Sequence, residues 1–121
     1  MEKKSGKGLT RLFNALVCSF AGLRTAFRHE TAFRQELIMA AVLLPAGLWL
    51  GRGGLEKAVF CGSVFFVLIV ELLNSGIESV VDRVGSEHHP LSGRAKDLGS
   101  AAVFLSLLNM AVVWLLLLVF R

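Results

Sequence analysis

The sequence predicts an all-α membrane protein, one domain over residues 1–121 in which an N-terminal amphipathic surface helix precedes three transmembrane helices. Apolar residues make up 55% of the chain, above the roughly 45–50% of soluble domains. No charged residue occurs between Leu98 and Phe120, and a bilayer core takes about 20 apolar residues of helix. Only 18% of residues are charged. This composition excludes a soluble enzyme. A chain this short, mostly committed to lipid, cannot enclose a large pocket alone, so a site needs several copies.

The elements follow in order. After a short Lys/Gly/Ser leader, Leu9, Leu12, Phe13, Leu16, Phe20, Leu23 and Phe27 recur at spacings of three and four, which predicts an amphipathic helix over 8–28. Its other face carries Arg11, Asn14, Ser19, Arg24 and Arg28, the pattern of a helix lying in the membrane interface. The apolar run 37–51 is short for a crossing, so the first span begins earlier, at 32–50, with Pro45 suited to bending it. A turn is expected at 51–54. The second span covers 57–81 and is interrupted by polar residues in its later half. A polar loop follows over 82–94, where Pro90 suits the opening of the next helix. The third span is 95–120. Gly47 and Gly51 match a small-xxx-small helix-pairing pattern.

Lys3, Lys4, Lys7, Arg11, Arg24, Arg28 and Arg34 all precede the first long apolar run. The positive-inside rule puts this end in the cytoplasm against anionic headgroups. The 51–54 turn and Arg121 then fall outside, and the 82–97 segment inside. Nucleic acid is not the expected partner of the basic segment, because the apolar remainder would hold it against lipid. Cys18 and Cys61 have no paired spacing, which suggests neither a disulfide framework nor a zinc site, and both read as packing residues. No secretory leader is expected.

The charges inside apolar helix carry the chemistry. At 100° per residue, Glu71, Asn74, Ser75, Glu78 and Asp82 fall within an arc of roughly 100°. Eleven residues at about 1.5 Å each put Glu71 roughly 16 Å from Asp82, deep in the apolar zone. A carboxylate there costs about 2.5–3.5 kcal/mol unless partnered, and by default marks a functional site. Glu30 and Glu36 approach the same face. Oxygen ligands of this kind suit Mg²⁺ shared with a nucleotide's phosphates. Lys96 can neutralise phosphate oxygens, and the adjacent Asp97 can orient it or accept from a ribose or a metal-bound water. The Glu87, His88, His89 run reads as a nucleotide-facing loop, since adjacent His side chains diverge and share one zinc ion poorly. No P-loop, dinucleotide fingerprint or kinase catalytic-loop motif is present. Any phosphoryl transferase here is of another design.

The runs AFRQE at 32–36, VELLNSGIE at 70–78, VDRVGSE at 81–87 and LSGRAKDLGS at 91–100 together resemble the prokaryotic diacylglycerol kinase family. The resemblance covers nearly the whole chain. It implies a multi-pass enzyme of the bacterial inner membrane, a homotrimer with active sites shared between subunits, that moves the γ-phosphoryl group of ATP to diacylglycerol. It further implies that Glu71 is the general base and that Glu30 and Glu78 bind metal. By the same resemblance, Arg11, Cys18, Glu30, Asn74, Glu78, Glu87, His88, His89, Lys96 and Asp97 surround the nucleotide; Cys18 and His88 stand where relatives often carry aromatics. Lipid contacts are implied for Arg11, Ala15, Phe20, Arg24 and Phe27, for Ala32, Phe33, Arg34, Gln35 and Glu36, and for Trp49, Glu71, Ser100 and Trp114. An undecaprenol kinase of the same superfamily would use the same stripe. A channel or scaffold without catalysis is the alternative from another class.

Overall fold

The structure, a computed structural model, describes residues 7–121. Lys3 and Lys4 of the basic leader lie outside the described residues. Four helices make up nearly all of the rest: α1 (Gly8–His29), α2 (Thr31–Leu50), α3 (Gly53–Val84) and α4 (Pro90–Val119). The last three are long and apolar enough to cross a membrane.

α1 keeps its apolar residues uncovered. Leu9, Phe13, Phe20 and Phe27 are all exposed, and Ala26 is the buried residue of this helix. That leaves the face a membrane interface would take. α1 packs on α2 and stops where Glu30 adopts an extended conformation, φ −114° and ψ 107°. The open carbonyls of the last turn are met by Arg34, whose guanidinium donates to Phe27 O at 2.8 Å and Arg28 O at 3.2 Å. Arg34 also donates to Thr31 Oγ1 at 3.2 Å, so one side chain sets the corner between α1 and α2.

α3 is the centre of the protomer, packed against α2 on one side and α4 on the other. Its buried residues, Phe60, Ser63, Val64, Val67, Glu71, Asn74 and Ser75, recur at helical spacing. Facing them are Phe33, Ala40 and Gly47 of α2, and Gly99 and Ser106 of α4. α2 runs unbroken through Pro45. At Gly47 the two helices come so close that a Cβ would stand 2.9 Å from Phe60 Cβ. The Phe60 and Trp114 rings meet there at 4.5 Å between centroids. Trp114 Nε1 donates to Ser63 Oγ at 3.0 Å, and Ser63 Oγ donates to Phe60 O at 2.8 Å. Ser106 satisfies its hydroxyl in the same way, on Val103 O at 2.7 Å.

Both connections are shorter than the sequence suggests. α3 begins at Gly53, inside the expected 51–54 turn, because the Glu56 carboxylate accepts Arg52 N–H at 2.9 Å and supplies a first-turn acceptor. Gly53 has φ +84°, a conformation L side chains rarely adopt. α4 begins at Pro90, the residue expected to open it, ahead of the expected 95–120 span. Proline fits the first helical position, and His89 Nδ1 accepts Leu91 N–H at 3.1 Å. The end of α4 is tied back to the α2–α3 turn, where the Arg121 guanidinium reaches Leu50 O and Glu56 Oε1. Cys61 packs against α2, with its sulfur 3.8 Å from Leu44 O. Cys18 is exposed and has no packing role within the single chain.

Candidate active site

α3 carries the polar stripe past both neighbours, and the structure buries its upper part. Glu71 is 5% exposed, with Asn74 and Ser75 each at 8%. Glu78 is half-buried and Asp82 exposed, so the stripe emerges as it descends. Asn74 Nδ2 donates to Glu78 Oε2 at 3.3 Å. This leaves Asn74 Oδ1 buried with no hydrogen-bond partner, like Ser75 Oγ and Glu36 Oε1. Orphaned buried oxygens are costly, and these three call for partners that the single chain does not supply.

Glu36 turns from the first turns of α2 to face Glu71, while Glu30 and Glu78 bear on Glu71 electrostatically. The four carboxyl groups thus belong to one neighbourhood. Arg34, two residues from Glu36, spends its guanidinium on α1 carbonyls. Among the described residues, no three His, Cys, Asp or Glu side chains converge on a preformed ion site. The donors present, carboxylates and an amide oxygen, are nevertheless the hard oxygens that suit Mg²⁺, which normally completes its shell with water and substrate phosphates.

Below the stripe, between α3 and α4, lies a cavity of 320 Å³ lined by Glu87, His88, His89 and Lys96, with Asp82 and Ser92. Lys96 Nζ pairs with Asp82 Oδ1 at 2.8 Å. Asp97, the residue expected to orient Lys96, does not do so, since consecutive residues of a helix point apart. His89 holds the start of α4 and lines the cavity as well.

The remaining site residues are distributed unevenly. Arg11, Ala15, Cys18, Phe20, Arg24 and Phe27 are exposed on α1, away from the α3–α4 cavity. Ala32 and Gln35 are exposed, whereas Phe33 is 2% exposed and fills the core. Trp49 is exposed and Trp114 sits in the Phe60 cluster. Ser100 faces outward beside buried Gly99. Gly99 is the residue that sequence reasoning missed. A Cβ there would overlap Asn74 Oδ1, so only glycine lets α4 pass over the stripe with the amide in place.

Three helices long and apolar enough to cross a membrane, one of them carrying a buried carboxylate on a polar stripe that leads to a polar cavity at one end, define a multi-pass membrane protein with an enzyme-like site. Comparison with known families makes this specific. The family described as Prokaryotic diacylglycerol kinase matches residues 17–118. A protein named diacylglycerol kinase in Haemophilus influenzae is 50% identical over 107 residues, 88% of this chain and 91% of its own length. Proteins of the same name in Pseudomonas aeruginosa and Escherichia coli K12 are 48% and 46% identical over 111 residues, 92% of this chain and 90% and 91% of theirs. The chain belongs to the prokaryotic diacylglycerol kinase family and is an enzyme.

Proposed function

We propose that this enzyme transfers the γ-phosphoryl group of ATP to the free hydroxyl of diacylglycerol, giving phosphatidic acid and ADP. Its setting in this reading is the cytoplasmic face of the bacterial inner membrane, with the N-terminus cytoplasmic. What carries the proposal is Glu71, a buried carboxylate on a membrane-crossing helix whose polar stripe leads to the Lys96 cavity; the names of the relatives supply the acceptor.

The hydroxyl of a membrane lipid reaches Glu71 from the bilayer side, while a nucleotide enters from water at the cavity and extends its phosphates along the stripe. Glu71 takes the hydroxyl proton as the oxygen attacks the γ-phosphorus. The bond from that phosphorus to the β–γ bridging oxygen breaks, and ADP leaves with the electron pair. Phosphoryl transfer asks mainly for alignment and charge neutralisation. Lys96 supplies a positive charge to the phosphates, and Asn74 and Glu78 hold one another in place. Glu30 and Glu78, with Asn74 Oδ1, are the residues that would hold Mg²⁺, which when bound neutralises phosphate charge. Glu87, His88 and His89 line the nucleotide's side of the cavity.

Arg11 and Cys18 would meet a nucleotide through assembly. Both are exposed on a helix that packs on α2, which leaves them open to another copy; in this reading the enzyme is a homotrimer in which α1 of one subunit completes the site of another. Lipid contacts fall to α1 and to Ala32, Arg34, Gln35 and Glu36, where α1 turns into α2, while Phe33 is held in the core.

The test is a radiolabelled-ATP assay in mixed micelles offering diacylglycerol and undecaprenol separately. Label in phosphatidic acid is expected; label only in undecaprenyl phosphate would replace the acceptor. Glu71→Gln is expected to abolish transfer while leaving assembly intact, and retained turnover in folded protein would remove Glu71 as base. Preserved lipid-independent ion conductance in place of transfer would favour a channel.

A further inference from the structure

Asp82 closes the polar stripe of α3 and takes no part in the proposed transfer. It is nevertheless the group that holds Lys96, at 2.8 Å, within the cavity that also presents Glu87, His88, His89 and Ser92. We propose that Asp82 is a positioning residue of the nucleotide site: it holds Lys96 at the cavity when no nucleotide is present, yields it to arriving phosphate oxygens, and takes it back as ADP leaves. This rests on the reading of Lys96 as a phosphate ligand.

Three considerations carry the inference. The pair bridges the end of α3 and the start of α4, so Lys96 is already engaged by a carboxylate at the mouth, and an arriving phosphate must break that pair to reach it. The side chains are 45% and 67% exposed, and exposed pairs are weak. A multiply charged phosphate can therefore displace this carboxylate, whereas a buried pair would resist exchange. Finally, a displaced Asp82 stays beside the phosphates as a like charge and opposes them. Asp82 thus lowers the affinity for ATP and ADP together, which favours product release.

The experiment measures ATP and ADP dissociation constants by titration calorimetry on the full-length protein in detergent, alongside the KM for diacylglycerol. Asp82→Asn is expected to tighten ATP and ADP by about two- to fivefold, the range an exposed pair spans, with the KM for diacylglycerol unchanged. Asp82→Glu should restore the original constants. The difference should shrink as salt rises from about 0.05 to 0.5 M, since exposed charges are screened. Weaker binding or unchanged binding in Asp82→Asn overturns the proposal, as does a difference that persists at high salt, because a plain brace between helices would behave so. Lys96→Met separates the two readings. If it leaves ATP binding unaltered, Lys96 is no phosphate ligand and both readings fall; if it weakens ATP binding, the outcome with Asp82→Asn decides the exchange alone.

Discussion

At the scale of single residues, the site divides into groups announced by their charge and groups that work by having no side chain. Glu71, Glu78 and Asn74 stand out because an ionisable or amide group inside an apolar helix breaks the pattern lipid demands. Gly99 breaks no pattern, since glycine is common in this chain, and its role appears only when α4 is laid over Asn74. Gly99→Ala is expected to push the Asn74 amide off Glu78. The amide is the free end of a flexible side chain and can swing away, so folding loses little while alignment fails. We expect kcat to fall about ten- to hundredfold, the scale of an ångström's misplacement, with a thermal midpoint near that of the parent. Kinetics and unfolding scans on the same preparation check it. Asp82 and Asp97 teach the same lesson: adjacency in sequence pointed to Asp97, and helical geometry gave Lys96 to a residue on another helix.

At the scale of helices, the apolar blocks and their order were legible because the period and length of each follow from the solvent it must satisfy. The helix ends were less so. Gly53 opens a helix inside a segment that reads as turn, because Glu56 reaches back over it to accept Arg52 N–H, whereas Pro90 opens α4 as its place in the sequence suggests. The α2–α3–α4 junction at Gly47, Phe60, Ser63 and Trp114 offers a graded test. Trp114→Phe keeps a ring against Phe60 and loses the bond to Ser63, which should cost about 1 kcal/mol. Gly47→Leu forces a side chain into the contact with Phe60 and should cost about 1–3 kcal/mol. Denaturation in a detergent series reads both, and the reverse ranking would mean the hydrogen bond, not the close approach, holds this end together.

At the scale of the whole molecule, the chain presents its carboxylate cluster and cavity on α2, α3 and α4, with α1 packed on α2. The length of the chain leads to the expectation of several copies, but any division of labour between them has no trace in a single sequence, because contacts between copies obey no spacing along the chain. If α1 of one subunit completes the site of another, two inactive proteins can repair each other. Glu71→Gln mixed with Arg11→Ala before reassembly should recover a fraction of wild-type activity, while either variant alone stays inactive. Recovery absent at every mixing ratio, with mixed oligomers demonstrated by two affinity tags, would mean that each subunit is self-sufficient.

The descent of the stripe from buried Glu71 to exposed Asp82 sets how this enzyme experiences abundance. On the proposed reading its two substrates arrive in different dimensions: a nucleotide is counted per volume of water, and a lipid reaching Glu71 is counted per area of bilayer. Adding inert lipid therefore starves the enzyme of one substrate and leaves the other untouched, with no change in the volume of the sample. Its rate is a reading of membrane composition, taken from inside the membrane.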